Sequence, residues 1–293
     1  MLNYRVRDKV NTLTLLMPWI IVLAVFWLYP LFYAIYISLT DYKTLTNTAT
    51  FVGLANYENL FGDSVFWVAL KNTAIFTFGT VPVTTAIALI LASILNNKLI
   101  RFKEFFRASY FLPTVTSLVV ISLIFTNLYA RDGYINNILS MFGMPFPERG
   151  WLLDTSTALL SIMVMDVWIS VGYYMILFLA GMQTISEDLY DSAKLNGASP
   201  VQQFFYITLP LIKPTLLFVL VINTIKSFQV FIEIFVMTKG GPLDSTTTLV
   251  YLVFVNAFEK TDMMGYASAI AFVLFFILLV FSYLQIKYLK VRD

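Results

Sequence analysis

Hydrophobic positions in this chain come in long blocks, not in the alternating or 3.6-residue stripes of a half-buried element. Six windows are apolar over the roughly 20 residues a helix needs to cross a hydrocarbon core of about 30 Å: 13–39, 68–95, 109–128, 158–179, 215–237 and 266–288. Segments of alternating hydrophobicity, the mark of a membrane barrel, do not appear. The pattern predicts an all-α polytopic membrane protein with six transmembrane helices. The first window is far too long for a signal-peptide core, and Pro30 inside it predicts a kink. Segments 40–67, 129–157 and 238–265 then share one side, with 97–107 and 187–214 on the other. The run Thr238-Lys239-Gly240-Gly241-Pro242 predicts a sharp stop to the fifth span. No connecting stretch is long enough to bury its own core. One membrane domain over 1–293 is expected, with 13–39 as a peripheral first helix and 68–288 as the core helices.

The polar stretch 187–214 carries the most local detail. Ser186 predicts an N-cap for a short helix with Glu187, Asp188 and Asp191 in its first turns, Lys194 at its far end and Gly197 just beyond. Acids first, a base last and a terminal glycine agree with the helix dipole and a left-handed C-cap. Ser199-Pro200-Val201-Gln202 predicts a capping box with proline at the first helical position. Helices this short are marginal alone, so the stretch asks for a partner surface.

Composition sharpens the membrane reading: 59% of residues are hydrophobic and 12% charged, with mean hydropathy +0.80. Lys and Arg set the orientation. With the N-terminus cytoplasmic, the inside segments hold Arg5, Arg7, Lys9, Lys98, Arg101, Lys103, Arg107, Lys194, Lys213, Lys287, Lys290 and Arg292. The outside holds Lys43, Lys71, Arg131, Arg149, Lys239 and Lys260, half as many. Both termini and the 187–214 loop are therefore expected inside. These bases flank spans, as membrane insertion requires, so no nucleic-acid partner is implied. Without Cys or His, disulfides, thiolate chemistry, histidine metal sites and histidine proton relays are excluded. No GxxxxGK[ST] phosphate loop occurs, and no nucleophile–base pair is visible, so no catalytic residue, metal site or cofactor is assigned to this chain.

Three ionisable residues lie inside spans, where they are costly and mark cavities or mutual pairs: Asp166, Lys226 and Glu233. Asp166 and Ser170 share a helical face, with Trp168 close to it. Asn223, Lys226 and Val230 share another, with Ser227 adjacent and Glu233 one turn on. Two readings stay open for Asp166 and Lys226: contacts to a ligand, or neutralisation of each other between helices. Trp168 reads either as an aromatic plane for a ring or as packing, and Glu233 as water-facing at the outer end of its span. A pocket lysine would also suit an acidic ligand such as a uronate or phosphate ester.

Several landmarks in order carry a family resemblance. Asp191-Ser192-Ala193, Gly197 and Ile207-Thr208-Leu209-Pro210 resemble the EAA loop of binding-protein-dependent ABC importer permeases. FVGLANYENLF, FFRASYFLP, WLLDTSTALLS, TKGGP and GYASAIAFVL are similar to the sugar and glycerol-phosphate branch over nearly the whole chain. Asp191 stands for the usual Glu, Ser192 for the first Ala, and Asn196 for the usual Asp before the glycine. The resemblance implies a type I importer permease fold in the bacterial or archaeal cytoplasmic membrane. It makes 187–210 a cytoplasmic coupling loop, with Glu187, Leu189, Tyr190, Asp191, Ser192, Ala193, Asn196 and Gly197 meeting an ATPase subunit. Leu189 and Ala193 form the docking face, with Tyr190 beside them. The second helix is expected to lie on the membrane, Phe204, Phe205 and Ile207 in the headgroup layer. By the same resemblance to the maltose-type permeases, Asp166, Trp168, Ser170, Asn223, Lys226 and Ser227 are substrate contacts. Implied partners are a second, related permease in a heterodimer, two ATP-binding subunits carrying ATP-Mg, an extracytoplasmic solute-binding protein and the bilayer. A secondary transporter driven by an ion gradient is the alternative; the absence of evident internal duplication argues against it.

Overall fold

The computed structural model describes residues 2–44, 46–97 and 100–289, with the side chains of 2–11 and 289 left aside. Lys98, Lys290 and Arg292, counted above for orientation, lie outside the described residues, as do the side chains of Arg5, Arg7 and Lys9. The helices are α1 Leu2–Leu23, α2 Tyr29–Ser38, α3 Ala55–Gly62, α4 Ser64–Asn96, α5 Lys103–Val115, α6 Leu118–Leu128, α7 Tyr134–Met141 and α8 Ala158–Met182. There follow α9 Glu187–Leu195, α10 Pro200–Gln203, α11 Leu209–Leu211, α12 Lys213–Phe228, α13 Ile232–Met237, α14 Leu249–Phe254 and α15 Met264–Leu289. Among the described residues, five helical stretches are long and apolar enough to cross a membrane, or six with the bent pair α5–α6 taken as one span.

The chain forms two compact units. One holds the residues up to Asp63 together with Val253–Val273; the other holds Ser64–Leu252 and the chain from Leu274 on. In the first unit, Thr12–Ser38 forms one 27-residue span whose apolar side chains stay almost entirely exposed. Pro30 does not break it. The π turn Ala24–Leu28 precedes it, and widening the helix there accommodates the ring that would otherwise strike a carbonyl one turn back. Residues 40–51, expected as loop, pair as an antiparallel hairpin of β1 Thr40–Lys43 and β2 Thr48–Phe51, Thr40 opposite Phe51. Four-residue strands are too short for periodicity to reveal. Asn56 and Tyr57 of the FVGLANYENLF landmark hold this corner. The Asn56 amide donates to the carbonyls of Ser38 and Thr40, 2.9 Å each, and Tyr57 bonds the Ser38 hydroxyl at 2.9 Å. Gly265 is required here, because a side chain would strike the Thr40 carbonyl.

In the second unit α4, α8 and α12 pack together around Ala88, Ala92, Tyr174, Met175, Phe178 and Val219, all buried. With no water to exclude between helices in lipid, close packing and small residues supply the attraction. Gly172 lets α8 approach the α5 backbone: a Cβ there would collide with the Tyr110 carbonyl. The third predicted span, 109–128, is not straight. It bends by 95° between Val115 and Leu118. Pro113 lacks the N–H that α5 would use, and Thr116 and Ser117 are extended.

The fifth span is broken too, into α12 and α13. Thr248 donates to the Val230 carbonyl at 3.1 Å, satisfying backbone freed at the break. The TKGGP run ends α13 as expected. Lys239 and Gly240 take positive φ, and Thr246 and Thr247 bond the carbonyls of Gly241 and Gly240. The apolar helix α14 inside segment 238–265 has no counterpart in the sequence reading; it is too short to stand out from its loop.

Candidate functional site

α8 and α12 bring three of the six predicted contact residues together. Lys226 Nζ donates to Ser170 Oγ at 2.6 Å and to Asp166 Oδ1 at 3.2 Å. Ser170 Oγ lies 3.4 Å from the same carboxylate oxygen. Asp166 and Ser170 are one α8 turn apart, so one ammonium reaches both. Burial is lopsided: the Asp166 side chain is 4% exposed and that of Lys226 45%. The ammonium is thus the accessible group, and the acid sits behind it.

The other three contacts separate from this cluster. Asn223 and Ser227, also one turn apart, face α4. Asn223 donates to the Val81 carbonyl at 3.5 Å, and Ser227 pairs with the Thr80 hydroxyl at 3.3 Å. Trp168 is two residues beyond Asp166, about 200° around the helix. It is half-exposed, with its ring 5.4 Å from that of Phe125 in α6, and does not join Asp166 and Ser170.

Glu233 corrects an expectation. It is buried, not water-facing. Non-helical backbone at Phe231 also ends the face it was expected to continue, and Glu233 comes within electrostatic reach of Asp166 and Lys226. A row of hydroxyls on α4, Thr73, Thr77, Thr80 and Thr84, is buried as well. Its four-three-four spacing was legible in the sequence as a polar stripe in an apolar span, though Thr80 becomes a candidate only through Ser227.

The 187–214 loop folds much as its caps predict. Gly197 has φ +79°. Its N–H donates to the Lys194 carbonyl and that of Ala198 to Ala193, 2.9 Å each, a Schellman ending. The capping box is complete: Ser199 N–H to Gln202 Oε1 at 2.8 Å, Gln202 N–H to Ser199 Oγ at 3.3 Å. Ser186 occupies the N-cap position of α9, but its hydroxyl turns to Asp188 at 3.4 Å instead of capping. Tyr190 bonds Thr208 at 2.9 Å, tying α9 to the segment after α10. Asn196 donates to the Ser192 carbonyl at 2.9 Å, satisfying a helix-end oxygen that an ionised Asp could not. Asp191 and Lys194 form an exposed pair at 2.9 Å, and Glu187 and Ser192 are exposed too. The two residues of the expected docking face lie in different surroundings. Ala193 lines a cleft of about 330 Å³ with Gly197, Gln203 and Tyr206, while Leu189 and Leu195 are the apolar side chains α9 leaves outside.

The profile of the binding-protein-dependent transport system inner membrane component matches residues 84–290. The chain belongs to this family of permeases. It is 38% identical to a probable ABC transporter permease of Bacillus subtilis over 97% of each chain. It is 36% identical to the lactose transport system permease of Rhizobium radiobacter, over 94% of this chain and 93% of that one. It is 34% identical to a multiple sugar-binding transport system permease of Streptococcus mutans, over 98% and 97%. In fold it matches a permease chain of a bacterial alginate ABC transporter, solved with an alginate-bound periplasmic protein, at TM-score 0.85 and 22% identity, over 98% and 96% of the chains. The permease is thus a multi-pass protein of the bacterial or archaeal inner membrane and a transport subunit, and the ion-gradient alternative gains no support.

Proposed function

We propose that this permease forms half of the translocation path of an ATP-driven sugar importer and moves its substrate by alternating access. Membership of the family across 84–290 carries the reading, and its likeness to the lactose and multiple-sugar permeases points to saccharides. A solute-binding protein delivers the sugar at the outer face. A second, related permease completes the path as a heterodimer. Two ATP-binding subunits hold ATP-Mg, for which this chain has no phosphate loop. The capped loop 187–210 is the coupling element: α9 enters a groove of the ATPase with Leu189 and Leu195 turned outward, while the segment from Pro200 rests on the membrane. The span Thr12–Ser38 is peripheral, which its exposure and its position ahead of the matched region support.

Lys226, positioned by Asp166 and Ser170, presents a donor to the substrate's hydroxyls; Asn223, Ser227 and Trp168, which stand apart from it here, would meet the substrate only after the helices move. Uptake into vesicles carrying the assembled complex tests the reading. It should require ATP inside and the binding protein outside, and persist when ion gradients are collapsed. Uptake that follows an ion gradient without ATP would overturn it.

A further inference from the structure

Residues 133–147 form a charge-free run of fifteen between Arg131-Asp132 and Glu148-Arg149. Within it α7 is amphipathic. Tyr134, Ile138 and Met141, at i, i+4 and i+7, lie along one stripe, and all three are exposed, at 72%, 55% and 81%. Phe142 and Met144 extend the apolar surface past the helix end, at 73% and 53% exposed. The opposite face is fastened. Asn136 is buried and donates to the carbonyls of Ala130 and Arg131, at 3.3 and 2.9 Å, and accepts from Trp151 Nε1 at 2.7 Å. The Trp151 ring in turn lies 6.4 Å from that of Tyr129.

We infer that α7 and the Phe142–Met144 turn form an interfacial anchor, held in the headgroup and upper acyl region of the bilayer. Position argues for lipid as the occupant. α6, with Val119, Val120, Leu123 and Ile124 exposed, ends at Leu128 and α7 starts six residues later, so the stripe lies close to the end of a membrane span. Its composition fits that depth: Tyr, Phe and Met with no charge, beside a Tyr129–Trp151 pair of the kind that gathers at membrane boundaries. The Asn136–Trp151 bond gives the anchor a use. It ties α7 to the corner that starts α8, steadying the outer end of the bent α5–α6 span. The inference goes beyond the transport reading and does not depend on which sugar moves.

The absence of cysteine gives single-cysteine variants a clean background. Ile138→Cys and Met141→Cys would carry an environment-sensitive fluorophore in the full-length chain, within its assembled transporter in proteoliposomes. Ser140→Cys, on the other side of α7, and Glu148→Cys serve as references. The two stripe positions should emit at shorter wavelength and be quenched by doxyl-labelled lipids at least about twofold more than the references. Stripe positions as open to aqueous iodide as Ser140 would overturn the anchor. So would stripe positions shielded from iodide without lipid quenching, which would mean that a protein subunit covers the face.

Discussion

Removing either partner of the Asp166–Lys226 pair should not cost the same, and the difference comes from burial. At 3.2 Å, two unit charges interact by about 5 kcal/mol at an effective dielectric of about 20. The Lys226 side chain is 45% exposed, so water screens much of that, and a net coupling of roughly 1–2 kcal/mol is the reasonable expectation. Lys226→Met leaves the Asp166 carboxylate 4% exposed, with only Ser170 at 3.4 Å. Such an orphaned buried acid costs about 2–4 kcal/mol. Asp166→Asn leaves an ammonium that can turn to water and keep Ser170, so about 1 kcal/mol is expected. The double variant removes both charges and should recover most of the Lys226→Met loss.

Thermal unfolding of the detergent-purified complex for the wild type, both single variants and the double variant reads these differences. Uptake measured on the same four proteins separates the two roles left open for the pair. If the residues only neutralise each other, the double variant regains transport along with stability. If Lys226 meets substrate, stability returns and uptake does not. An Asp166→Asn variant less stable than Lys226→Met would refute the burial argument outright.

Gly197→Val places a β-branched residue at φ +79°, a strain of about 1–2 kcal/mol that the open space around it does not relieve. The protein should insert and assemble while ATP hydrolysis no longer drives uptake; normal uptake per ATP would exclude a coupling role for this turn. Gly172→Leu pushes a side chain into the Tyr110–Phe111 backbone and should lower stability by about 1–3 kcal/mol through overpacking, read as a lower melting temperature, with Gly62→Ala, facing open space, as the control. Asp154 accepts from the Ser156 hydroxyl at 2.6 Å and amide at 2.8 Å, and these bonds hold its carboxyl below the usual range. Its contribution is therefore complete above the unfolded value near 4 and fades as pH falls through the folded value below it. Protection of the Ser156 amide should drop in that acid range, and Asp154→Asn should abolish the pH dependence.

The 187–214 loop was read from sequence almost to the hydrogen bond because its signals are local. A capping box spans four residues and a Schellman turn six, so Ser199, Gln202 and Gly197 specify their geometry without help from elsewhere. Ser186 shows the limit: a neighbouring carboxylate took its hydroxyl. The spans themselves were equally plain, since the bilayer imposes one length and one polarity on each. Their breaks were not. Pro113 and the Gln229–Phe231 segment interrupt runs whose average hydropathy stays that of a span, and averaging hides the interruption.

By itself, then, the sequence determined that this chain crosses a membrane about six times, how its capped loop at 187–214 folds and which importer family it resembles. The spans are written in composition and the caps in short spacing, while the family rests on landmarks resembling known permeases. Tertiary structure alone decided which polar residues meet. Helical periodicity put Asn223, Lys226 and Ser227 on neighbouring faces of one helix, but the placement of α4 and α8 sent Asn223 and Ser227 to one and Lys226 to the other. The same packing closed Glu233 into the interior and turned Trp168 toward Phe125. A one-dimensional pattern gives each side chain a direction around its own axis, whereas its partner depends on the angle at which another helix arrives.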